Sequence, residues 1–178
     1  MKINAVIRRG LNEHSVLHLA DHFRGTDIIL RFIEFMDVGS TNQWQFDEVV
    51  SARQMADIIH AEFPIAPVSP NYRGEVAKRW RYLDGAGEVG FIASVTEPFC
   101  GDCARARLSA VGKVYTCLFA TKGYDLRDLI REGASDKALT RRIHTIWANR
   151  VDRYSELRSR TSATVNPAQR VEMSHIGG

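Results

Sequence analysis

The chain has 178 residues and a mass of 20.1 kDa, more than one small module and less than two comfortable domains, so one compact body or one and a half is expected. With 44% hydrophobic and 25% charged residues its composition is that of a globular protein, and no run approaches the roughly 18 apolar residues of a spanning helix, which excludes a membrane protein. The net charge of +3, from 24 basic and 21 acidic residues, suits an anionic small ligand as well as nucleic acid and decides nothing between them.

In chain order, residues 3–7 read as a strand, and no basic stretch with an apolar core precedes them, so a cytoplasmic location is expected. Residues 13–23 carry apolar side chains at Val16, Leu17, Ala20 and Phe23, a helical stripe, with Gly25 as its C-terminal stop. A second strand follows over 28–35. Ser51 and Gln54 have capping-box spacing ahead of Met55, Ile58, Ile59 and Phe63, which predicts a helix over about 51–63, ended by Pro64 and Pro67. From Val76 the pattern turns antiparallel: 76–83 and 88–95 form a hairpin across Asp84-Gly85-Ala86-Gly87.

Two further strands are expected at 105–110 and 113–119. Leu126, Leu129 and Ile130 begin a helical region, and Leu139, Ile143, Ile146, Trp147, Val151 and Tyr154 form a stripe read as a core face. From Arg158 the composition is too polar to pack by itself. There is no internal repeat. A parallel βαβα start with two strands cannot cover both faces of its own sheet, so the first seventy residues read as part of something larger.

The three cysteines, Cys100, Cys103 and Cys117, are an odd and clustered set, which argues against a disulfide framework. If residues 111–113 form a three-residue loop, Ala110 faces Val114 and Cys117 faces Arg107, and side-chain alternation puts Cys103, Arg105, Arg107 and Cys117 on one face. Three thiols so arranged suit a metal or a cluster, with buried cysteines as the bland alternative. Zinc wants four ligands, and only His144 and His175 lie downstream as candidates for the fourth. A [4Fe–4S] cluster held by three cysteines leaves one iron open to an outside ligand. Arg105 and Arg107 present two planar forks suited to phosphate oxygens, which favours a polyphosphate or nucleotide pocket.

The run Phe99-Cys100-Gly101-Asp102-Cys103-Ala104-Arg105-Ala106-Arg107-Leu108-Ser109 resembles the GTP 3′,8-cyclase family, as do Cys117 to Ala120, Arg31 to Met36 and the terminal Met173 to Gly178. The resemblance runs through essentially the whole chain. It implies a radical S-adenosylmethionine enzyme of molybdenum cofactor biosynthesis with two [4Fe–4S] clusters, of which Cys100, Cys103 and Cys117 match the ligands of the one that binds GTP. It implies that Lys2, Arg31, Arg105, Ala106 and Arg107 meet GTP, that Met36 touches S-adenosylmethionine, and that Gly177 and Gly178 form a tail reaching into the active site, where residues without side chains can approach closely.

The family's C-x-x-x-C-x-x-C motif has no match among the three cysteines, so the chain is expected to be the substrate-cluster half, inactive alone. The fold implied is α/β: the later βα units of an incomplete TIM-like barrel over 1–70, followed over 71–178 by an α+β subdomain with antiparallel hairpins that binds the cluster and GTP. Expected partners are GTP and either a complementary N-terminal half or a second copy, since an exposed parallel-strand edge near residues 2–35 invites association. The competing function is a zinc-stabilised or nucleic-acid-binding module on the basic surface of 137–170. It would need stacking aromatics interleaved with Lys and Arg, and Trp147 and Tyr154 read instead as core.

Overall fold

The computed structural model describes residues 1–39, 41–157 and 171–176. They form two compact units: Met1–Met36 with Trp44–Cys103, and the described residues of Asp37–Gln43 with Ala104–Gly178.

The first unit is a five-stranded mixed sheet with two helices. Its strands are β1 (Lys2–Ile7), β2 (Ile29–Glu34), β3 (Ile65–Val68), β4 (Lys78–Tyr82) and β5 (Glu88–Ile92), in the order β1-β2-β5-β4-β3. β1 and β5 flank β2 in parallel, and β4 joins antiparallel to both β5 and β3. The α/β class and the 84–87 hairpin expected from the sequence are therefore present, with Gly85 and Gly87 at φ +82° and +97° in the turn.

Alternation along the strands decides the faces. Ile3, Ala5 and Ile7 of β1, Leu30 and Phe32 of β2, Val89 and Phe91 of β5, and Trp80 and Tyr82 of β4 share one core. Helix α1 (Ser15–Phe23) contributes Val16 and Ala20 to it, and α2 (Ala52–Glu62) contributes Met55, Ala56 and Ile59. Phe32 and Phe91 stack with ring centres 6.0 Å apart. Burying such a ring is worth about 1.5–3 kcal/mol, so this pair anchors the centre of the sheet.

Helix α2 starts where the sequence places it: Ser51 accepts from the Gln54 amide at 3.1 Å while Gln54 accepts from the Ser51 amide at 3.1 Å. The α1 stripe ends at Phe23, and Gly25 follows at φ +76°. Strand β3, absent from the sequence expectation, contains Pro67. It is tolerated because β3 lies at the sheet edge and pairs only with β4.

The second unit holds a small antiparallel sheet of β6 (Arg107–Leu108), β7 (Lys113–Tyr115) and β8 (Tyr124–Asp125), with helices α3 (Arg127–Arg131), α4 (Asp136–Ala148) and α5 (Tyr154–Leu157). Its core gathers Val114, Leu126 and Ile146, with Leu129 packed against them. The strands expected at 105–110 and 113–119 are thus much shorter, and β8 was not expected.

The stripe read as a core face is corrected too. Of its members only Ile146 is buried, while Ile143, Trp147 and Val151 are exposed. Ile146 alone carries α4 into the small core it shares with Val114 and Leu126, and the Arg150 guanidinium lies over the Trp147 ring at 4.9 Å. No described helix is long and apolar enough to cross a membrane.

Candidate functional site

Cys100 begins a tight 3-10 turn, Cys100–Asp102, closed by the Cys103 amide donating to the Cys100 carbonyl at 3.3 Å. The two thiols of the C-x-x-C therefore flank one turn of the first unit, both half-buried. The turn has its own supports. The Arg73 Nε donates to Asp102 Oδ1 at 2.8 Å. Gly74, at φ +81°, lies so close that a Cβ there would stand 2.6 Å from the Asp102 carbonyl oxygen. Neither Arg73 nor Gly74 is singled out by the sequence; a glycine after an arginine in a polar loop is too common a signal.

Arg105, Ala106, Arg107 and Cys117 lie in the second unit. The hairpin register expected there is corrected. Its loop is 110–112 rather than 111–113: the Ser109 amide donates to the Lys113 carbonyl at 2.9 Å, the Gly112 amide to the Ser109 carbonyl at 3.0 Å, and Gly112 sits at φ +76°. Arg107 accordingly faces Tyr115, not Cys117, and Leu108 faces Val114. Glycine is required at 112 by its left-handed backbone and because a Cβ would meet Arg127 Cβ at 2.9 Å, so the turn closes one residue early and the register moves by two.

The ladder stops at Tyr115, where Thr116 gives its hydroxyl to Asp152 at 2.5 Å. Cys117 then opens a turn: its carbonyl accepts from the Ala120 amide at 3.3 Å and its Sγ from the Phe119 amide at 3.4 Å. The face expected to carry Cys103, Arg105, Arg107 and Cys117 is therefore not a continuous strand face. What survives of it is an alternation in burial over 103–108, with Cys103, Arg105 and Arg107 half-buried and Ala104, Ala106 and Leu108 exposed.

Lys2 and Arg31 lie together on the sheet face of the first unit opposite its helices. Lys2 pairs in register with Ile29, two residues before Arg31, and Asn4 pairs with Arg31 itself. The Arg31 Nε donates to Asn4 Oδ1 at 2.8 Å. On the same face Arg79 forms a two-pronged bond with Glu88 at 2.6 and 3.0 Å, and that bond, with the Glu88 charge, raises its pKa further above the ordinary arginine value. Met36 is half-buried, two residues beyond β2. Gly177 and Gly178 lie outside the described residues.

One functional support the sequence hides is Glu34. It is fully buried at the end of β2 and accepts four hydrogen bonds: from the Ala52 amide at 2.7 Å, the Val95 and Thr96 amides at 2.8 Å each, and the Thr96 hydroxyl at 2.5 Å. It satisfies the first amide of α2 and fixes the segment that runs on to Cys100. The signal that could have found it is a carboxylate at an inward position of a strand, in line with Leu30 and Phe32.

Cys100 and Cys103, half-buried thiols that flank one tight turn and form no disulfide among the described residues, are donors of the soft kind that iron–sulfur clusters and zinc take. Neither unit by itself gathers three or more His, Cys, Asp or Glu as a metal site among the described residues. The fold and these donors define a mixed α/β protein with a cysteine motif in its first unit and candidate ligand-binding arginines in each of its two units.

Residues 28–156 match the family model Molybdenum Cofactor Synthesis C, and the chain belongs to that family. Across all 178 residues it is 53% identical to a GTP 3′,8-cyclase of Xanthomonas campestris pv. campestris, covering 51% of that protein. Proteins of the same name from Acidothermus cellulolyticus and Staphylococcus epidermidis are 49% and 44% identical, with all of this chain matched to 55% and 53% of theirs. The chain thus spans about half the length of these curated relatives.

Proposed function

We propose that this chain provides the substrate-binding half of a GTP 3′,8-cyclase, a radical S-adenosylmethionine enzyme of the cytoplasm that makes the first cyclic intermediate of molybdenum cofactor biosynthesis from GTP. The observation that carries it is similarity along the whole of this chain to about half of proteins of that name, together with the C-x-x-C turn and the third thiol. In this reading Cys100, Cys103 and Cys117 would hold a [4Fe–4S] cluster, and with only three thiolate ligands it would supply Lewis-acid iron to the guanine edge of GTP.

The chain's own residues bind and orient. Lys2 and Arg31, on one sheet face, and Arg105 and Arg107, in alternate half-buried positions, meet the triphosphate through charge-assisted bonds. Ala106 lines the loop between the two arginines. Met36 stands beside S-adenosylmethionine, and the family resemblance assigns Gly177 and Gly178, which lie outside the described residues, to the active site. The parallel pair β1 and β2 supports the finer fold reading, in which residues 1–70 begin as units of a TIM-like barrel and 71–178 form the subdomain that carries the cluster and further GTP residues. The remaining part of the barrel comes from a complementary segment or partner.

The test is calorimetric binding of GTP and guanosine to the anaerobically reconstituted chain. GTP should bind more tightly than guanosine, and Arg105→Ala and Arg107→Ala should each remove most of that preference. Equal affinities for the two ligands, or arginine variants that bind as the parent does, would overturn the reading.

A further inference from the structure

The arginines of the first unit differ in what holds them. Arg8, Arg24, Arg53, Arg73 and Arg79 each form an ion pair with a carboxylate, which offsets their charge. Arg9 and Arg31 are held by neutral oxygens instead: Arg9 commits its Nε and a terminal nitrogen to the Asp47 and Val49 carbonyls and the Gln54 side chain, whereas Arg31 commits only its Nε, to the side-chain carbonyl of Asn4 at 2.8 Å, and its terminal nitrogens have no hydrogen-bond partner among the described residues. The two residues face each other across the parallel β1–β2 ladder. A carboxylate at position 4 would bind the guanidinium more strongly but would also cancel the charge that an anion needs.

The other side of Arg31 is shaped by an absence of side chain. Gly90 faces Arg31 in the β2–β5 ladder, and a Cβ at Gly90 would lie 3.0 Å from Arg31 Cγ and 3.6 Å from Cδ. The aliphatic stem of Arg31 therefore rests over Gly90. The backbone of Gly90 is not left-handed, so what this position requires is space. Beyond Gly90 in the same row lies Arg79, already bound by Glu88. Asn4 turns the Arg31 fork and Gly90 seats its stem, which leaves the two terminal nitrogens as the presented edge on the face that also carries Lys2.

We propose that Asn4 and Gly90 are positioning residues that pre-set Arg31 as a full-charge anchor for a nucleoside triphosphate. Part of this rests on the reading of Arg31 as a GTP-binding residue, and the experiment separates the two. The first measurement is the Arg31 Nε–H signal in a 15N spectrum of the whole chain, with its hydrogen-exchange rate. Asn4→Ala should remove exchange protection, Asn4→Asp should keep it, and Gly90→Ala should shift the signal by moving the stem. An Nε–H equally protected in Asn4→Ala overturns the positioning role whatever GTP does.

The second measurement is GTP affinity in a double-variant cycle. Asn4→Ala should weaken binding about tenfold, equivalent to about 1.4 kcal/mol, and should have no further effect in an Arg31→Ala chain. Asn4→Asp should also weaken GTP binding, despite its intact Nε–H bond, because it adds a negative charge beside the anchor. Additive losses from Asn4→Ala and Arg31→Ala, or tighter GTP binding by Asn4→Asp, overturn the proposal. If Arg31→Ala binds GTP as the parent does, it is the assignment of Arg31 to the nucleotide that fails, and the Nε–H result still decides whether Asn4 positions it.

Discussion

Replacing Glu34 should cost far more stability than any surface acid, and by amounts that differ between two substitutions in a calculable order. Its Oε2 accepts the Val95 and Thr96 amides, and its Oε1 accepts the Ala52 amide and the Thr96 hydroxyl. In Glu34→Ala the hydroxyl can rotate to another acceptor, but the three amides cannot move without moving α2 or the 95–96 segment. Unsatisfied buried donors cost about 1–3 kcal/mol each, and relief of the buried charge offsets part of the sum, leaving a net loss of about 3–5 kcal/mol.

Glu34→Gln is milder. With its oxygen in the Oε2 position it still accepts from Val95 and Thr96, and its amino group can donate to the Thr96 hydroxyl, so only the Ala52 amide is opposed. That predicts a loss of about 1–3 kcal/mol. Urea unfolding followed by circular dichroism measures both, and amide exchange at Ala52, Val95 and Thr96 locates the damage. In Glu34→Gln, Ala52 should lose protection before the other two. Equal losses for the two variants, or exchange at all three amides unchanged, would refute the assignment of Glu34 as the tie between β2, α2 and the cysteine-bearing segment.

Two further outcomes follow from single contacts. Gly74→Ala puts a methyl group against the Asp102 carbonyl oxygen in a left-handed backbone, so it should cost about 1–3 kcal/mol and speed alkylation of Cys100 and Cys103 relative to Cys117; unchanged relative alkylation would contradict the support given to the turn. Burial pushes the Tyr82 phenol above its ordinary value, with the nearby Arg24 charge opposing. The unfolded chain then loses that proton first, so the contribution of Tyr82 to stability is constant below about pH 10 and falls as pH rises above it. Urea midpoints compared between neutral and strongly alkaline pH should drop less in Tyr82→Phe than in the parent, and an equal drop would count against it.

The elements with local signatures were legible from the residues: α2 through its Ser51–Gln54 box, the end of α1 before Gly25, and the 84–87 hairpin through its glycines. Those that depend on partners in space were not. Pro67 hides an edge strand, because the rule against proline in strands lapses where an amide faces no neighbour. The 105–119 register went wrong by two residues because two neighbouring turn positions compete, and the contact between Gly112 and Arg127, fifteen positions away, selects one. The late stripe had helical period without burial, since periodicity tells which side chains share a face and not whether anything covers it. Of the candidate site, the cysteines and the Arg105–Arg107 alternation came from pattern, and Lys2 and Arg31 only from resemblance. Asn4, Gly90 and Glu34 needed coordinates, for each acts through a neighbour that sequence spacing does not reveal.

The measurement that bears most directly on the account is the iron and sulfide content of the anaerobically reconstituted chain, with its electron paramagnetic resonance spectrum recorded before and after GTP. The account predicts a cubane stoichiometry, about four irons and four sulfides per chain, lost when any of Cys100, Cys103 or Cys117 is replaced by Ser, and a spectrum that changes when GTP is added. One zinc without sulfide, or a cluster whose spectrum ignores GTP, would contradict it.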